Sequence, residues 1–298
     1  MVRGTGSLSV KGALERLGLS ARKALGQHFL VSVSVLWRIL QAAELGQDDT
    51  VVEVGPGLGV LTRDLLARAQ RVVAVELDAE LASALQQALA GQGNLRVVCA
   101  DARTVEVAAL VDGAPYKLVA NMPYYAASPI LRHFLEGPHP PTRAVVMVQR
   151  EVAQSMAARP GEMSVLSVAV QLYGSPRIVA SVPRSAFYPQ PKVTSAIVRI
   201  DVYPKPALDL EDREAFFRVV RAGFSAPRKQ LRNSLAQGLG LSPQVTEPLL
   251  ARAGIDSRRR PETLTLEEWE RLFRVAAQGG DLGEARWVHP NSESWRLP

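Results

Sequence analysis

Residues 50–66, TVVEVGPGLGVLTRDLL, decide the fold of this chain. The apolar, β-branched run at 50–55 predicts a buried strand, and Gly55, Gly57 and Gly59 follow at its end. A helical pattern then begins in LTRDLLARA. A strand, a glycine turn and a helix in this order predict an α/β element with a sharp turn. A ligand can approach such a turn closely, because glycine has no Cβ in the way.

Apolar runs of the same kind continue along the chain and alternate with helical patterns such as AELASALQQALA. They are RVVAVELD at 71–78, LRVVCAD at 95–101, KLVAN at 117–121 and RAVVMVQ at 143–149. Strands buried on both faces read as continuous apolar runs, so the sequence predicts a doubly wound, mostly parallel α/β sheet. Two later runs, at 176–183 and 194–202, are expected to add edge strands, and Cys99 is expected in the core.

The pattern changes after residue 204. The segment YPKPALDLED is a Pro-containing linker, and the periodicity beyond it is helical only. We therefore predict four parts: an N-terminal extension, an α/β domain, a small α-helical domain and a C-terminal tail. Their boundaries are 1–22, 23–204, 205–277 and 278–298.

Composition excludes several classes of protein. The chain has 298 residues, 47% hydrophobic and 21% charged, and no apolar stretch long enough to span a bilayer. Its N-terminus lacks the apolar segment of a secretory signal, so a cytoplasmic location without membrane attachment is expected. One cysteine and four histidines without metal-ligand spacing predict neither disulfides nor a metal site. A net charge of +6 permits a polyanionic partner without demonstrating one.

Polar residues mark the ends of consecutive predicted strands. Gly55, Glu76, Asp101 and Asn121 should share the rim at which open α/β sheets bind ligands. A carboxylate at Glu76 can accept both hydroxyls of a ribose, and Asp101 can accept the exocyclic amine of an adenine. Any one of these residues can equally be a turn residue, a helix cap or a solvated side chain, but the four in register predict a nucleoside site.

The stretch NMPYY at 121–125 places an amide, a proline and two aromatic rings where a buried strand opens onto a loop. Polar acceptors beside a flat ring suit a planar, nitrogen-bearing ligand such as a nucleobase. The alternative is that Tyr124, Tyr125 and Phe187 are core aromatics or close the ends of strands.

Six blocks together resemble the adenine dimethyltransferases of small-subunit ribosomal RNA. They are KALGQHFL at 23–30, EVGPGLGVLT at 53–62, NMPYY at 121–125, VQREVA at 148–153, FYPQPKVTSAIVR at 187–199 and FSAPRKQLRNSL at 224–235. The resemblance implies a Rossmann-like methyltransferase domain at 23–204 and RNA recognition by the helices at 205–277. It implies S-adenosylmethionine as methyl donor, with S-adenosylhomocysteine as product. The implied acceptors are two adjacent adenosines near the 3′ end of small-subunit RNA, with a role in subunit maturation.

The resemblance also assigns site residues. Donor binding falls on Gln27, His28, Leu30, Gly55, Gly57, Gly59, Glu76, Leu77, Asp101, Ala102 and Asn121, and catalysis on Asn121, Pro123, Tyr124 and Phe187. We expect the Asn121 side-chain oxygen and a backbone carbonyl of the Met122-Pro123 turn to accept the two N6 hydrogens of the target adenine. Tyr124 is expected to stack on that base, with Phe187 opposite.

Basic residues are the candidates for RNA contact. One cluster is Arg228, Lys229 and Arg232, another is Arg258, Arg259 and Arg260, and Arg22 and Lys23 precede the first block. They can neutralise phosphates, or else form a solvated helix face or compensate a helix dipole.

Departures and competing functions complete the prediction. Met122 replaces the more usual leucine, and Ser155 stands where the family usually has arginine, next to a segment about two residues short. A resistance-type methyltransferase of large-subunit RNA, and a ribosome-assembly or nucleic-acid-binding factor without turnover, remain alternatives. The expected partner is an immature small subunit, and the expected oligomeric state is a monomer.

Overall fold

The structure, a computed structural model, describes residues 10–16 and 27–279. Arg22 and Lys23, most of the predicted extension and nearly all of the predicted tail lie outside the described residues.

Nine strands and twelve α-helices are formed by the described residues. The strands are β1 (Phe29–Leu30), β2 (Thr50–Val54), β3 (Arg71–Glu76), β4 (Leu95–Cys99), β5 (Lys117–Asn121), β6 (Arg143–Gln149), β7 (Gly174–Val182), β8 (Phe187–Tyr188) and β9 (Ser195–Val202). The helices are α1 (Val10–Arg16), α2 (Val33–Ala43), α3 (Val60–Leu66), α4 (Ala79–Ala88), α5 (Val107–Val111), α6 (Ala127–Glu136), α7 (Arg150–Met156), α8 (Val165–Gln171), α9 (Arg213–Gly223), α10 (Leu231–Leu239), α11 (Pro243–Arg252) and α12 (Leu266–Gln278). Short 3₁₀ turns at Tyr124–Ala126, Arg184–Ala186 and Pro261–Thr263 complete the assignment.

Seven strands form one mixed sheet in the order β4-β3-β2-β5-β6-β9-β7. The first five strands in this order, β4 to β6, are parallel to one another, and β9 is antiparallel to β6. This architecture confirms the predicted doubly wound, mostly parallel fold. One detail differs, because β9 lies inside the sheet, between β6 and β7, and only β7 takes the predicted edge position.

The centre of the sheet is apolar on both faces. All five residues of β2 are buried, as continuous β-branched runs predict for a central parallel strand. The opposite holds at β4, an edge strand whose residues are partly or fully exposed. The prediction that Cys99 is a core residue was therefore wrong: it is a free, exposed thiol on that edge strand.

A second, two-stranded sheet joins distant parts of the chain. In the antiparallel pair β1-β8, Phe29 lies opposite Tyr188 and Leu30 opposite Phe187. The Val31 N–H then donates to the Ala186 carbonyl at 2.8 Å. These bonds hold the segment that begins at Gln27 against the loop that follows β7, and they position Gln27–Leu30 beside the main sheet's carboxyl rim.

The chain divides into two compact units. One runs through Gln154 and resumes over Ser175–Pro204, and the other comprises Ser155–Gly174 and the chain from Lys205 onward. The predicted domain at 23–204 was continuous, so the structure differs from it in residues 155–174. The reason is local, because the N–H groups of Gly161 and Met163 donate to the Glu262 carbonyl at 2.7 and 3.1 Å.

Ser155, the predicted departure, belongs to the helical unit. Its hydroxyl is hydrogen-bonded to that of Ser164 at 2.6 Å, and Ser164 caps α8 together with Ser167. The Ser167 hydroxyl donates back to the Ser155 carbonyl at 2.6 Å. A serine network therefore occupies this place and fixes the start of α8.

Residues 10–16 and 27–279 offer neither a membrane-spanning helix nor a metal site. Within them, no helix is long and apolar enough to cross a membrane. The same part of the chain holds no group of three or more His, Cys, Asp or Glu side chains arranged to bind a metal ion.

Candidate functional site

A cleft opens at the carboxyl ends of β2, β3, β4 and β5. It brings together most of the predicted site residues, which come from four strand ends and from the segment around β1. Those that line it are Gln27, His28, Leu30, Gly55, Gly57, Glu76, Leu77, Asp101, Ala102, Asn121, Pro123 and Tyr124. The convergence follows from the parallel strands, whose carboxyl ends share one edge.

The glycine loop forms the floor of this cleft. Gly55 and Gly57 have φ angles of 70° and 54°, a left-handed conformation that L side chains rarely adopt. A Cβ on Gly57 would lie 3.0 Å from the Phe29 ring, and one on Gly55 would lie 3.4 Å from the Asn121 carbonyl. Both glycines are therefore required by backbone conformation, and Gly57 also by the narrow space beside Phe29.

Glu76 is tied to the glycine loop. Its Oε2 accepts the Gly57 N–H at 3.2 Å, and its Oε1 accepts the Asp78 N–H at 3.0 Å. Burial raises the pKa of Glu76, and the two backbone N–H groups oppose that rise. Each oxygen keeps a lone pair for a further donor, as a vicinal diol would supply.

Asp101 is engaged with Arg103 at the cleft. The Arg103 guanidinium donates to both carboxylate oxygens, with Nη2 to Oδ2 at 2.6 Å and Nε to Oδ1 at 3.0 Å. This pair lowers the pKa of Asp101, so the group is a carboxylate and an acceptor at neutral pH. The amine predicted to bind here would share its oxygens with Arg103, which the sequence prediction did not include.

Asn121 is held by the segment that precedes β1. Its Nδ2 donates to the His28 backbone carbonyl at 3.0 Å. The His28 Nδ1 lies 2.7 Å from the Pro189 carbonyl, which can only accept, so this nitrogen carries the proton. The Asn121 amide nitrogen is thereby anchored, and its Oδ1 is the side-chain atom left as an acceptor at the cleft.

Tyr124 lies one turn beyond Asn121, at the start of a 3₁₀ turn. Its hydroxyl is hydrogen-bonded to the buried Ser195 hydroxyl at 2.5 Å. Burial raises the pKa of Tyr124, so the phenol stays neutral well above physiological pH. The His28 and Tyr124 rings are tilted by 31° with centroids 5.5 Å apart. Tyr125 beside it is half exposed and also lines the cleft.

Glu53 is a cleft residue that the sequence prediction missed. It is 1% exposed, and its Oε2 has no hydrogen-bond partner among the described residues. Burial raises the pKa of Glu53 to about 8, so the carboxyl is mostly protonated at neutral pH. The acid inside the apolar run TVVEV was the available signal, because burying an acid without a partner costs free energy.

Two predicted site residues lie elsewhere. Gly59 is the N-cap of α3, and a Cβ there would collide with the Leu85 side chain, so this glycine serves helix packing and does not line the cleft. Phe187 is 2% exposed and packs in the main apolar core with Leu30 and Ile39. The structure therefore gives no support to Phe187 as the second stacking ring.

Apart from Arg259, the predicted basic residues of the helical unit fall into two groups, one without and one with an acidic partner among residues 27–279. Arg228, Lys229 and Arg258 are exposed, with no side-chain bond or ion pair within residues 27–279. Arg232 lies 3.4 Å from Glu247, and Arg260 lies 3.9 Å from Glu262.

Arg259 differs from the other basic residues. It makes a bidentate salt bridge with Glu268, with N···O distances of 2.5 and 2.9 Å, and also donates to the Thr263 carbonyl. Bonds of this kind favour a structural role for Arg259, and its contact with RNA stays a prediction.

The geometry of the cleft suits two ligands. The glycine loop, Glu76 and Asp101 offer backbone space and acceptors for a nucleoside. Asn121 and Tyr124 offer an amide oxygen and an aromatic face at the opposite end. A planar base with an exocyclic amine can therefore meet a nucleoside-bearing molecule within one cleft.

The chain is similar to named proteins over most of its length. The chain is similar to the ribosomal RNA small subunit methyltransferase A of Dehalococcoides mccartyi, with 50% identity over 275 residues, 91% of this chain and 94% of the relative. It is 46% identical to the protein of that name from Moorella thermoacetica over 269 residues, 87% of this chain and 93% of the relative.

The chain is also similar to solved structures. A dimethyladenosine transferase from Plasmodium falciparum has a TM-score of 0.72 and 26% identity, over 85% of this chain and 98% of that one. The 23S rRNA methyltransferase ErmE has a TM-score of 0.66 and 32% identity, over 84% of this chain and all of that one. The model of a family described as ribosomal RNA adenine dimethylase matches residues 18–278. This chain therefore belongs to the ribosomal RNA adenine dimethylase family.

Proposed function

We propose that this protein transfers methyl groups from S-adenosylmethionine to N6 of two adjacent adenosines near the 3′ end of small-subunit ribosomal RNA. The product would be N6,N6-dimethyladenosine. The acceptor would be an immature small subunit in the cytoplasm, and the protein would act on it as a monomer. The relatives named for small-subunit RNA support the acceptor. The observation that carries the chemistry is the anchored Asn121 amide, whose oxygen is the acceptor that an adenine amine needs.

The donor fits the residues present at the glycine loop. S-adenosylmethionine supplies, when bound, a methyl group on a positively charged sulfur. Glu76 would accept the ribose hydroxyls with the lone pairs that Gly57 and Asp78 leave free. Asp101 would accept an adenine N–H beside Arg103. Gly57 and Glu53, whose Oε2 has no hydrogen-bond partner among the described residues, also line this cleft.

Asn121 would prepare the acceptor amine. The N6 lone pair of adenine is delocalised into the ring, which makes the nitrogen a poor nucleophile. For the first methyl group, hydrogen bonds from both N6 hydrogens, to Asn121 Oδ1 and to a carbonyl of the Met122-Pro123 turn, favour a pyramidal nitrogen whose lone pair faces the methyl group. For the second, the remaining N6 hydrogen keeps one of these bonds. The residues act by alignment and electrostatics, without a covalent intermediate on the enzyme.

Tyr124 would hold the base by stacking. The ring position is set by the hydroxyl contact with Ser195, and the neutral phenol brings no charge next to the reacting amine. Stacking depends little on base identity and suits a base removed from its neighbours. The cleft-lining Tyr125, exposed at 51%, is better placed than buried Phe187 to offer another ring.

The helical unit would add phosphate contacts. Arg228, Lys229 and Arg258 are the best candidates since their charges have no acidic partner among residues 27–279, and Arg232 and Arg260 have only long pairs. Their contribution should decrease as salt concentration rises.

The proposal is tested by incubating the protein with labelled S-adenosylmethionine and unmethylated small subunits. Large-subunit RNA and duplex DNA serve as parallel acceptors, and mass spectrometry identifies the product. We expect dimethyladenosine in the small subunit alone. Label in large-subunit RNA would instead support the activity named for ErmE. Donor binding without label in any acceptor would indicate a binding or assembly factor.

A further inference from the structure

We infer that a surface outside the cleft binds the single-stranded RNA that flanks the target adenosine. It is formed by the outer side of α2 and by the loops around β8, and we call it the acid-free face. Its members are Val33, Trp37, Arg38, Arg184, Tyr188 and Lys192. The inference rests on the proposed function in one respect, because that function places RNA at the cleft.

The sequence of this face lacks acidic residues altogether. The segments 27–43 and 174–200 contain no Asp or Glu, although the chain has 29 of them in 298 residues. The same segments carry Arg38, Arg177, Arg184, Lys192 and Arg199. Of these, Arg199 is buried and paired with Glu44 and Asp201, so it does not contribute to the surface charge.

The fold brings the two segments together at β1 and β8. Phe29 pairs with Tyr188 across the two-stranded sheet, and the Val31 N–H donates to the Ala186 carbonyl at 2.8 Å. Helix α2 begins at Val33, two residues after Val31. The acid-free parts of the chain are therefore neighbours in space, held together by backbone bonds.

Exposed aromatic and apolar side chains lie among these cations. Trp37 is 57% exposed and Val33, one helical turn before it, is 69% exposed, while Ile39 and Leu40 of the same helix are buried. Tyr188 is 37% exposed. Exposure of a tryptophan ring to water is unfavourable, so the position of Trp37 favours a partner that covers it.

The cations on this face are not neutralised. Arg38 and Lys192 are exposed and have no ion pair within residues 27–279, and Arg184 makes only a long contact of 3.5 Å to the Lys192 carbonyl. Aromatic rings interspersed with unpaired cations are typical of surfaces that bind single-stranded nucleic acid. Bases stack on the rings, and the cations follow the phosphates.

The face continues directly from the cleft. His28, Phe29 and Leu30 line the cleft, and the next residues along the chain, Val31 to Trp37, belong to the face or lead into it. An RNA strand that delivers its adenine to Asn121 must leave the cleft, and this is one direction open to it. Charge complementarity and stacking favour RNA over a protein partner here.

The test measures binding of a single-stranded RNA oligonucleotide that contains the two target adenosines, without turnover. We expect Trp37→Ala to weaken binding roughly 10-fold and Trp37→Phe to retain most of it, because phenylalanine still stacks. Arg38→Gln should weaken binding and reduce the slope of log K against log salt by about 1, whereas Arg38→Lys should keep that slope. Donor affinity and melting temperature should stay at wild-type values in all four proteins.

Two results would overturn the inference. One is wild-type RNA affinity in a Trp37→Ala, Arg38→Gln double variant. The other is a loss of binding to whole small subunits with unchanged binding to the oligonucleotide, which would assign the face to a protein of the subunit. Neither depends on methyl transfer, so failure of the proposed function would be seen separately, as absence of dimethyladenosine with the wild-type enzyme.

Discussion

Asn121 and His28 are 93 residues apart in sequence, and the Asn121 amide donates to the His28 carbonyl at 3.0 Å. The bond determines which end of the amide faces the cleft, because the nitrogen is used and the oxygen is left. It also makes the segment before β1 part of the catalytic geometry. A residue far from Asn121 in the sequence therefore orients the group that we propose to bind the adenine amine.

Asn121→Ala should abolish this acceptor. We expect kcat to fall by roughly 100-fold or more, the usual consequence of removing one preorganised hydrogen-bonding group from a transition state. Donor affinity should change far less, and calorimetry with S-adenosylmethionine measures it separately. Asn121→Asp is the matched variant, since it keeps an oxygen but loses the N–H that bonds the His28 carbonyl. Wild-type rates in Asn121→Ala would contradict the proposed role.

Tyr124 should act through its ring and not through its hydroxyl. Tyr124→Phe removes only the contact with Ser195, so we expect kcat/KM within a few-fold of wild type and an unchanged pH profile up to pH 9. Tyr124→Ala removes the stacking face and should lower kcat/KM by roughly 10- to 100-fold. Ser195→Ala is the control for the hydroxyl contact and should behave like Tyr124→Phe. A large loss in Tyr124→Phe would show that the phenol itself takes part.

Glu76→Gln should weaken donor binding. Both carboxylate oxygens accept backbone N–H groups, from Gly57 and Asp78, and an amide would present its NH₂ to one of them. Loss of a hydrogen bond to a charged group corresponds to roughly 10- to 100-fold in the dissociation constant, measured by calorimetry. Glu151→Gln makes the same change at an exposed carboxylate and should leave the affinity unaltered. Equal affinities for all three proteins would exclude Glu76 from the donor site.

Much of the site could be predicted because parallel strands impose simple rules. Continuous apolar runs such as VVAV at 72–75 indicate strands buried on both faces, and the residue after each run must lie at the same rim. The positions of Glu76, Asp101 and Asn121 follow from that rule alone.

Other features depend on contacts between distant residues, which no local pattern records. Phe187 is buried because the two-residue strand β8 pairs with β1, at Leu30. Arg259 resembles a member of a basic cluster until Glu268, nine residues later, is found to neutralise it. Residues 155–174 join the helical unit through backbone bonds to Glu262, and backbone atoms leave no signature in the sequence.

Glu53 should make the stability of the protein depend on pH. Its pKa is raised by burial from 4.5 to about 8, so between these values the folded protein keeps a proton that the unfolded chain releases. Stability is therefore fully present below pH 4.5 and decreases as pH rises toward 8, by about 1.4 kcal/mol per pH unit. Glu53→Gln should remove this dependence.

Urea unfolding of wild type and Glu53→Gln at pH 5.5, 6.5 and 7.5 measures the effect. Other titrating groups are common to both proteins, so the difference in unfolding free energy between them isolates Glu53. We expect the variant to gain stability relative to wild type at each step upward in pH. Parallel pH profiles would mean that the Glu53 carboxyl titrates alike in the folded and unfolded chains.

Arg228 and Lys229 should contribute to RNA affinity, whereas Arg259 should contribute to stability. Replacing Arg228 and Lys229 together by Glu should weaken RNA binding at low salt and reduce the slope of log K against log salt by about 2, since two phosphate contacts would be lost. Arg259→Gln breaks the paired bonds to Glu268 and should lower the melting temperature without changing that slope. Filter binding over a salt series and thermal unfolding separate the two effects. The opposite pattern, with a reduced slope only in Arg259→Gln, would place the phosphate contact on Arg259 and require the Glu268 pair to open when RNA binds.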